Sequence, residues 1–385
     1  MEELRHSGLR GRGGAWFPTW RKWATVADRS DGRAVVVINA SEGEPLSAKD
    51  KTLLSLRPHL ILDGAALAAN TVGAREIVLY LSRGSGAAEG AARKAIIERR
   101  RAMLTEPPIR IVSTGHRYIA GEASAVVRRI SGGPAKPQFT PPHVSEKGVD
   151  GRPTLVHNVE TLANVALLAR GGSTWFRELG SASSPGTALM TLSGNVRHPG
   201  VYEVDLGARL GGVLEAAGGI VGDTRGALLG GYFGTWLSAS SLSDAPLDLE
   251  LLQARHGASL GCGVLAVLPD GGCGVGEAAR ILSYLAAETA GQCGPCVHGL
   301  RAIAETMERI AASVGVRTDL ERLRELTGLV RGRGACRHPD GAVRLLASAL
   351  TVFADHLEEH LTGVPCPGRR ILGFPRPPAR SRWWR

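Results

Sequence analysis

Two cysteines separated by two residues, Cys293 and Cys296 in ETAGQCGPCVHG, and a third, Cys336 in RGRGACRHP, are the residues of this 385-residue chain best suited to hold a metal centre. Two thiolates on one turn can grip a single centre, and a distant third completes the set if the chain between them folds back. Cysteine also serves as a small buried apolar residue. Here, however, the neighbours are Gly, Pro and polar residues, not apolar stripes. Histidines widen the donor set, because Cys293, Cys296, His298, Cys336 and His338 form a CxxCxH plus CxH pattern from which four donors would suit zinc.

A second concentration of chemistry lies at the other end. GLRGRGGAWFPTW places Gly8, Gly11, Gly13 and Gly14 around Arg10 and Arg12, with Lys22 following. Glycines let backbone N–H groups curl towards an anion and the cations add charge, so the loop reads as a phosphate cradle or as a purely structural glycine loop. It lacks the strand-before, helix-after order of a dinucleotide fingerprint. The apolar run at 34–38 empties into NASEGEPLSAKD, which puts Asn39, Ser41, Glu42 and Glu44 at a strand's carboxyl end, the usual ligand crevice of a parallel sheet. Asn158 and Glu160 open a later helix, where capping competes with ligand orientation as their role.

These groups need elements to position them. Strand patterns at 34–38, 76–81 and 108–113 alternate with helical periods at 60–72 and 86–105, the signature of an α/β layer architecture. A strand-turn-strand-helix pattern begins at 187 and turns at His198 to Gly200, as in a small auxiliary domain. After a core strand in SLGCGVLAVLP come helical patterns at 276–289, 298–312 and 340–361. Thr318 and Glu321 supply a capping-box signature for one more between them. A four-helix unit buries these faces, and its two turns bring Cys293, Cys296 and Cys336 together. The expected divisions are 1–186, 187–256, 257–362 and a basic tail, 363–385.

Composition narrows the classes. With 43% hydrophobic residues the chain buries a substantial core and is not a disordered protein. Its net charge of +10 owes much to six tail arginines, so no nucleic-acid role is expected from the body of the chain. Six irregularly spaced cysteines do not form a secreted disulfide scaffold, and no long uncharged apolar run is present. A cytoplasmic setting without direct membrane insertion is expected, any membrane association running through partners.

Several stretches then match one family together. Gly11-Arg12-Gly13-Gly14-Ala15-Trp16-Phe17-Pro18-Thr19-Trp20, with Lys22 and Trp23, parallels a GRGGAGFPTGxKW loop. Asn39 to Pro45 parallels NADEGEP, Tyr118 to Ala125 parallels YxxGEETAL, and Pro153 to Thr161 parallels PTxVNNVET. The chain thus resembles the flavoprotein subunit of the NADH-oxidising module of respiratory complex I, the 51-kilodalton or F-type subunit, whose relatives include diaphorase subunits of formate dehydrogenases and hydrogenases. The resemblance implies an FMN-binding Rossmann-like α/β domain, a β-grasp (SLBB-like) domain and a C-terminal four-helix iron–sulfur domain. It also implies electron transfer from NADH through FMN to a [4Fe-4S] cluster, and then to a partner such as a thioredoxin-like two-iron ferredoxin subunit. On its motifs the flavin and NAD residues are Gly11, Arg12, Gly13, Gly14, Lys22, Asn39, Glu42, Tyr118, Gly121, Glu122 and Asn158, with Glu42 and Glu122 closest to the chemistry.

The departures from the family pattern cluster. Trp16 and Trp20 replace glycines of the flavin loop, Ala123 replaces a glutamate, and Thr140 and His143 fall where the family has lysine and phenylalanine. Added indoles are expected to intrude on the cofactor space unless the loop moves. Ala290 replaces one cluster cysteine, leaving Cys293, Cys296 and Cys336, with Cys262, Cys273, Cys366, a histidine or an exogenous group as the fourth ligand. The alternative to an active electron-transfer subunit is a noncatalytic structural or docking subunit with degenerate flavin and cluster sites.

Overall fold

The computed structural model describes residues 1–139, 142–363, 366 and 368. Thr140 and nearly all of the basic tail therefore lie outside the described residues. The first domain runs α1 (Glu2–Ser7), α2 (Thr19–Ala27), β1 (Ala34–Ala40), α3 (Lys49–Leu56), α4 (Pro58–Val72), β2 (Ala74–Ser82), α5 (Gly86–Arg101), β3 (Ile109–Thr114), α6 (Ala123–Ile130), β4 (Thr154–Asn158) and α7 (Val159–Phe176). All four strands are parallel, in the order β3-β2-β1-β4. Strand β1 is apolar on both faces because both are covered. Val36 and Ile38 enter the core under α4 and α7, while Val35 and Val37 pack with Val126, Val127 and Ile130 of α6. Gly64 makes the α4–α7 approach possible, since a Cβ there would stand 1.9 Å from the Leu162 carbonyl oxygen.

Chain order and strand order part company at β1. The connections step from β1 to β2 to β3 on one side, and β4 then returns to the other side of β1. In open α/β sheets such a reversal is where the ligand crevice lies, here at the carboxyl ends of β1 and β4. The two candidate asparagines face each other there, Asn39 opposite Asn158 in the register.

The second domain contains β5 (Thr187–Gly194), β6 (Gly200–Asp205), α8 (Leu210–Ala216), β7 (Thr224–Leu229), β8 (Thr235–Ser238), α9 (Leu249–His256) and β9 (Val264–Pro269). Its sheet order is β6-β5-β9-β7-β8. Strand β9, grouped by sequence with the helical end, is instead the central strand of this sheet, parallel to β5 and antiparallel to β7.

The helical domain comprises α10 (Gly274–Ala287), α11 (Arg301–Ala311), α12 (Arg317–Val330), α13 (His338–Val352) and α14 (Ala354–Leu361). A π-helical turn, Pro295–Leu300, runs into α11. The expected Thr318–Glu321 box is not the cap of α12. Asp319 accepts from the Val316 backbone N–H at 2.9 Å, so the helix starts at Arg317. The last helical pattern is also two helices, α13 and α14, divided at Phe353, whose ring lies against Trp236 of the second domain. Among the described residues no helix is long and apolar enough to cross a membrane.

Candidate functional site at the β1/β4 crevice and the cysteine turn

The glycine loop closes over the crevice from the side of α7. Its ends are pinned by backbone bonds, Gly11 N–H to Phe17 O at 2.9 Å and Thr19 N–H to Leu9 O at 3.0 Å. Gly14 adopts φ +106, and a Cβ on Gly13 would stand 3.3 Å from the Asn158 Cβ. Beyond the loop, Lys22 donates to the Val156 carbonyl of β4 at 3.3 Å, and among the described residues it has no carboxylate partner. Burial lowers its pKa. A desolvated ammonium without a counter-anion is costly unless an anion joins it, so this position fits a phosphate. The adjacent His157 is held far below its ordinary pKa by burial and then by Lys22, and as a neutral ring it accepts from the Trp23 indole N–H at 2.9 Å.

Other predicted residues hold each other. Asn158 caps α7 by accepting from Glu160 N–H at 3.0 Å and donates to Asp50 at 2.6 Å. Lys49, buried, pairs with Asp50 at 2.6 Å and Glu160 at 2.8 Å. Glu160 also accepts from Leu189 N–H of β5 at 2.8 Å, which carries the network into the second domain. Glu42 accepts from the Ser47 hydroxyl at 2.6 Å and from the N–H groups of Asp50 and Lys51, and burial with the Asp50 charge raises its pKa. Asn39 donates to the Gly121 carbonyl at 2.9 Å, and a Cβ on Gly121 would meet the Ser41 carbonyl oxygen at 2.8 Å. Arg12 points inward, donating to Thr187 O at 2.8 Å and Arg10 O at 3.1 Å beside Glu160.

The two loop tryptophans pack against the chain's own cores. Trp16 takes φ +51 and buries its indole in the core of the second domain, donating to Gly261 O at 2.9 Å beneath the Arg12 guanidinium. Trp20 packs on the first-domain core, with Arg5 and Arg21 over its ring. Both indoles thus find partners in the domain cores. Ala123 simply opens α6 behind Glu122, and His143 is exposed.

Tyr118 sits where the three domains meet. Its ring contacts Tyr232, Phe233, Tyr284 and His338, its hydroxyl donates to Glu44 at 3.0 Å, and its N–H donates to Glu288 at 2.8 Å. Glu44 is fully enclosed, and burial pushes its carboxyl up to about 7 against hydrogen bonds from Tyr232 N–H, Leu46 N–H and Tyr118. Four residues on from Tyr118, Glu122 caps α6 by accepting from the N–H groups of Ser124 and Ala125.

Cys293, Cys296 and Cys336 are brought together. The Cys293 carbonyl accepts from the N–H groups of Cys296 and Val297, which sets the turn. Burial raises the Cys296 thiol first, and neighbouring Cys293 and Cys336 raise it further. For Cys336 burial again comes first. The His338 N–H opposes it, and the Glu122 charge adds to it, so Glu122 lies within electrostatic reach of Cys336. Gly299 lets the turn meet α12, since a Cβ there would stand 2.4 Å from Val330.

Three proposed fourth ligands are elsewhere. Cys262 donates to Gly230 O at 3.3 Å, in the surroundings of Glu44 and Lys49. Cys273 caps the start of α10, whereas Cys293 follows its end, and a 14-residue helix is ~21 Å long. Cys366 lies with Cys273. The histidine pattern is not assembled into a single-ion site either: His298 is exposed and His338 Nε2 faces the Leu285 carbonyl at 2.8 Å. Among the described residues the His/Cys/Asp/Glu group that converges is Cys273, His356, His360 and Cys366, with donor atoms all within 4.8 Å of one another. Sequence reasoning names both cysteines separately but passes over the HLEEH spacing, which puts two histidines four apart on one helical face.

A crevice for a nucleotide-like cofactor joined to a cysteine-rich helical domain defines the class of flavin and iron–sulfur electron-transfer proteins. Residues 4–167 match the Nuo51 FMN-binding domain, 189–227 the SLBB domain, and 276–360 the iron–sulfur binding region of NADH-ubiquinone oxidoreductase F. The F-type subunit of NADH-quinone oxidoreductase in Streptomyces coelicolor is 32% identical over 94% of this chain and 83% of its own. The second such F-type subunit of Rhizobium meliloti is 34% identical over 95% and 90%, and the HndC subunit of NADP-reducing hydrogenase in Solidesulfovibrio fructosivorans is 31% identical over 95% and 77%. A crystal structure of NAD+-reducing [NiFe]-hydrogenase in the H2-reduced state superposes with a TM-score of 0.85 at 32% identity, covering 94% of this chain and 62% of the hydrogenase chain. The chain belongs to the 51-kilodalton flavoprotein family of NADH dehydrogenase and hydrogenase diaphorase modules, as an electron-transfer subunit with an iron–sulfur-binding region.

Proposed function

We propose that this chain takes electrons from NADH with FMN seated in the β1/β4 crevice, and delivers them singly through an iron–sulfur cluster on Cys293, Cys296 and Cys336 to a partner's redox centre. The observation that carries the reading is the topological reversal at Asn39 and Asn158, with the glycine loop above it and the unneutralised Lys22 beside it. Bound FMN supplies the change from two-electron to one-electron transfer, and a thiolate-held cluster supplies one-electron conduction. Lys22 and the loop backbone at Gly13 and Gly14 would hold the phosphate. Asn39, Asn158 and Glu42 fix the surrounding loops. Glu122, at the head of α6 and close in charge to Cys336, marks the short path from crevice to cluster.

Ala290 offers no ligand, and Cys262, Cys273 and Cys366 are placed elsewhere, so the fourth iron position is left to a histidine such as the exposed His298 or to an exogenous ligand. The fitting acceptor is a thioredoxin-like two-iron ferredoxin subunit or another iron–sulfur subunit, because a chain with one cluster must hand its electrons on. The docking-subunit reading draws on Lys49 and Glu160, which pair with each other within the chain and, through Leu189, join two domains. The flavin reading is tested first at Lys22. Lys22→Met is expected to weaken FMN binding roughly tenfold or more, the value of a charge-assisted contact, with the circular dichroism spectrum unchanged. Equal FMN affinity in the variant would remove the phosphate assignment.

A further inference from the structure

The Cys273, His356, His360 and Cys366 group lies at the opposite end of α10 from the cluster cysteines, and the electron-transfer reading makes no use of it. Its donors converge in pairs: Cys273 Sγ is 3.3 Å from His360 Nε2, and His356 Nε2 is 3.1 Å from Cys366 Sγ. A tetrahedral zinc ion with Zn–S near 2.3 Å and Zn–N near 2.0 Å sets its ligands ~3.3–3.8 Å apart. A [4Fe-4S] cluster instead holds each thiolate on a separate iron, and a [2Fe-2S] centre puts its two ligand pairs on different irons, so either spreads the full set further than donors that all lie within 4.8 Å of one another. The spacing here is that of ligands sharing one ion, and the donor set, two sulfurs and two nitrogens, is one zinc takes in structural sites.

The surroundings support the same assignment. His356 is 5% exposed and His360 1%. Two imidazoles and two thiols converge at the margin of an apolar core, where aliphatic packing would otherwise be expected. His360 Nδ1 shares a hydrogen bond with the Ser313 hydroxyl at 3.2 Å, the outer contact that orients a ligating imidazole, whereas His356 Nδ1 is buried with no hydrogen-bond partner. The Gly276 N–H donates to Cys273 Sγ at 3.1 Å, a contact that fixes the direction of the sulfur.

We propose that Cys273, His356, His360 and Cys366 form a structural zinc site, distinct from the iron–sulfur centre, that ties the start of α10 to α14 and to the segment entering the basic tail. The test is metal analysis of the full chain purified anaerobically from cells grown with iron and zinc. About one zinc per chain is expected in addition to iron. His356→Ala and Cys366→Ser should each lower zinc roughly tenfold and leave iron in place, while Cys296→Ser should lower iron and leave zinc. If the zinc-site variants fail to fold, cobalt(II) substitution in the unaltered chain decides. A tetrahedral cobalt spectrum with thiolate charge transfer, insensitive to Cys296→Ser, supports the site. Folded protein with neither zinc nor a cobalt spectrum overturns it. So does zinc that disappears with Cys296, iron that disappears with Cys366, or a Cys273–Cys366 disulfide in the anaerobic protein.

Discussion

Glu44 shows how much one side chain can bear in this molecule. It lies at the meeting point of three domains, accepts from Tyr118, Tyr232 and Leu46, and has its carboxyl raised from about 4.5 to about 7 by burial. The folded state therefore holds a proton between those values that the unfolded chain has released. Stability from this group is complete below its ordinary pKa and is lost as pH rises through 7, by about 3 kcal/mol at most. Urea unfolding at pH 5 and pH 8 is expected to show this loss, and Glu44→Gln, which keeps an acceptor oxygen and cannot ionise, should flatten it. An unchanged pH slope in the variant would assign the effect to other buried acids such as Glu42. The identity of Glu44 as a strand-end acid is legible in the sequence. Its enclosure is not, because Tyr232 lies 188 positions away and only the fold brings it there. Trp16 is a similar case: its place in the glycine loop is legible, but the burial of its indole in the neighbouring domain is not, because only the fold brings Gly261 to it.

At the scale of elements, strand β1 and the helices around it are readable because their periods are local. Strand β4 is not among the strand patterns the sequence shows, since five residues running directly into α7 carry little period of their own. Strand β9 is recognisable as a strand, but chain order gives it the wrong neighbour. Its partners, Thr191 with Val264 and Leu229 with Leu265, are fixed by non-local pairing that no sequence period records. The division at Phe353 is hidden because the apolar pattern continues across it. Close helix packing is the most exacting local requirement in the first domain. A methyl group on Gly64 cannot share space with the Leu162 carbonyl, so α4 and α7 must separate. Gly64→Ala is expected to destabilise the chain by about 2 kcal/mol, overpacking outweighing the gain in helix propensity of about 1 kcal/mol. A thermal midpoint equal to or above that of the parent chain would show that the helices yield without cost.

For the whole molecule, the electron route we propose runs from the crevice at β1 and β4, by the Glu122 cap of α6, to the Cys293–Cys296 turn. Tyr118 and the Lys49–Glu160 network fix the domains around that route. The Cys293, Cys296 and Cys336 set is legible from spacing alone as a candidate for a metal centre, and the family resemblance is what suggests a flavin. Neither can tell which cysteines stand apart, since Cys273 and Cys366 are separated from Cys293 by the length of α10 and joined to two histidines by its packing against α14. The central claim, that flavin and cluster act in series in this chain, is tested most directly by reconstituting the full protein anaerobically with FMN, iron and sulfide, then adding NADH under stopped flow. The account predicts stoichiometric flavin, prompt bleaching of its visible band, and an electron paramagnetic resonance signal from the reduced cluster that Cys296→Ser abolishes while bleaching persists. A folded, cluster-loaded chain that binds no FMN, or whose bound FMN is unaffected by NADH, would contradict it.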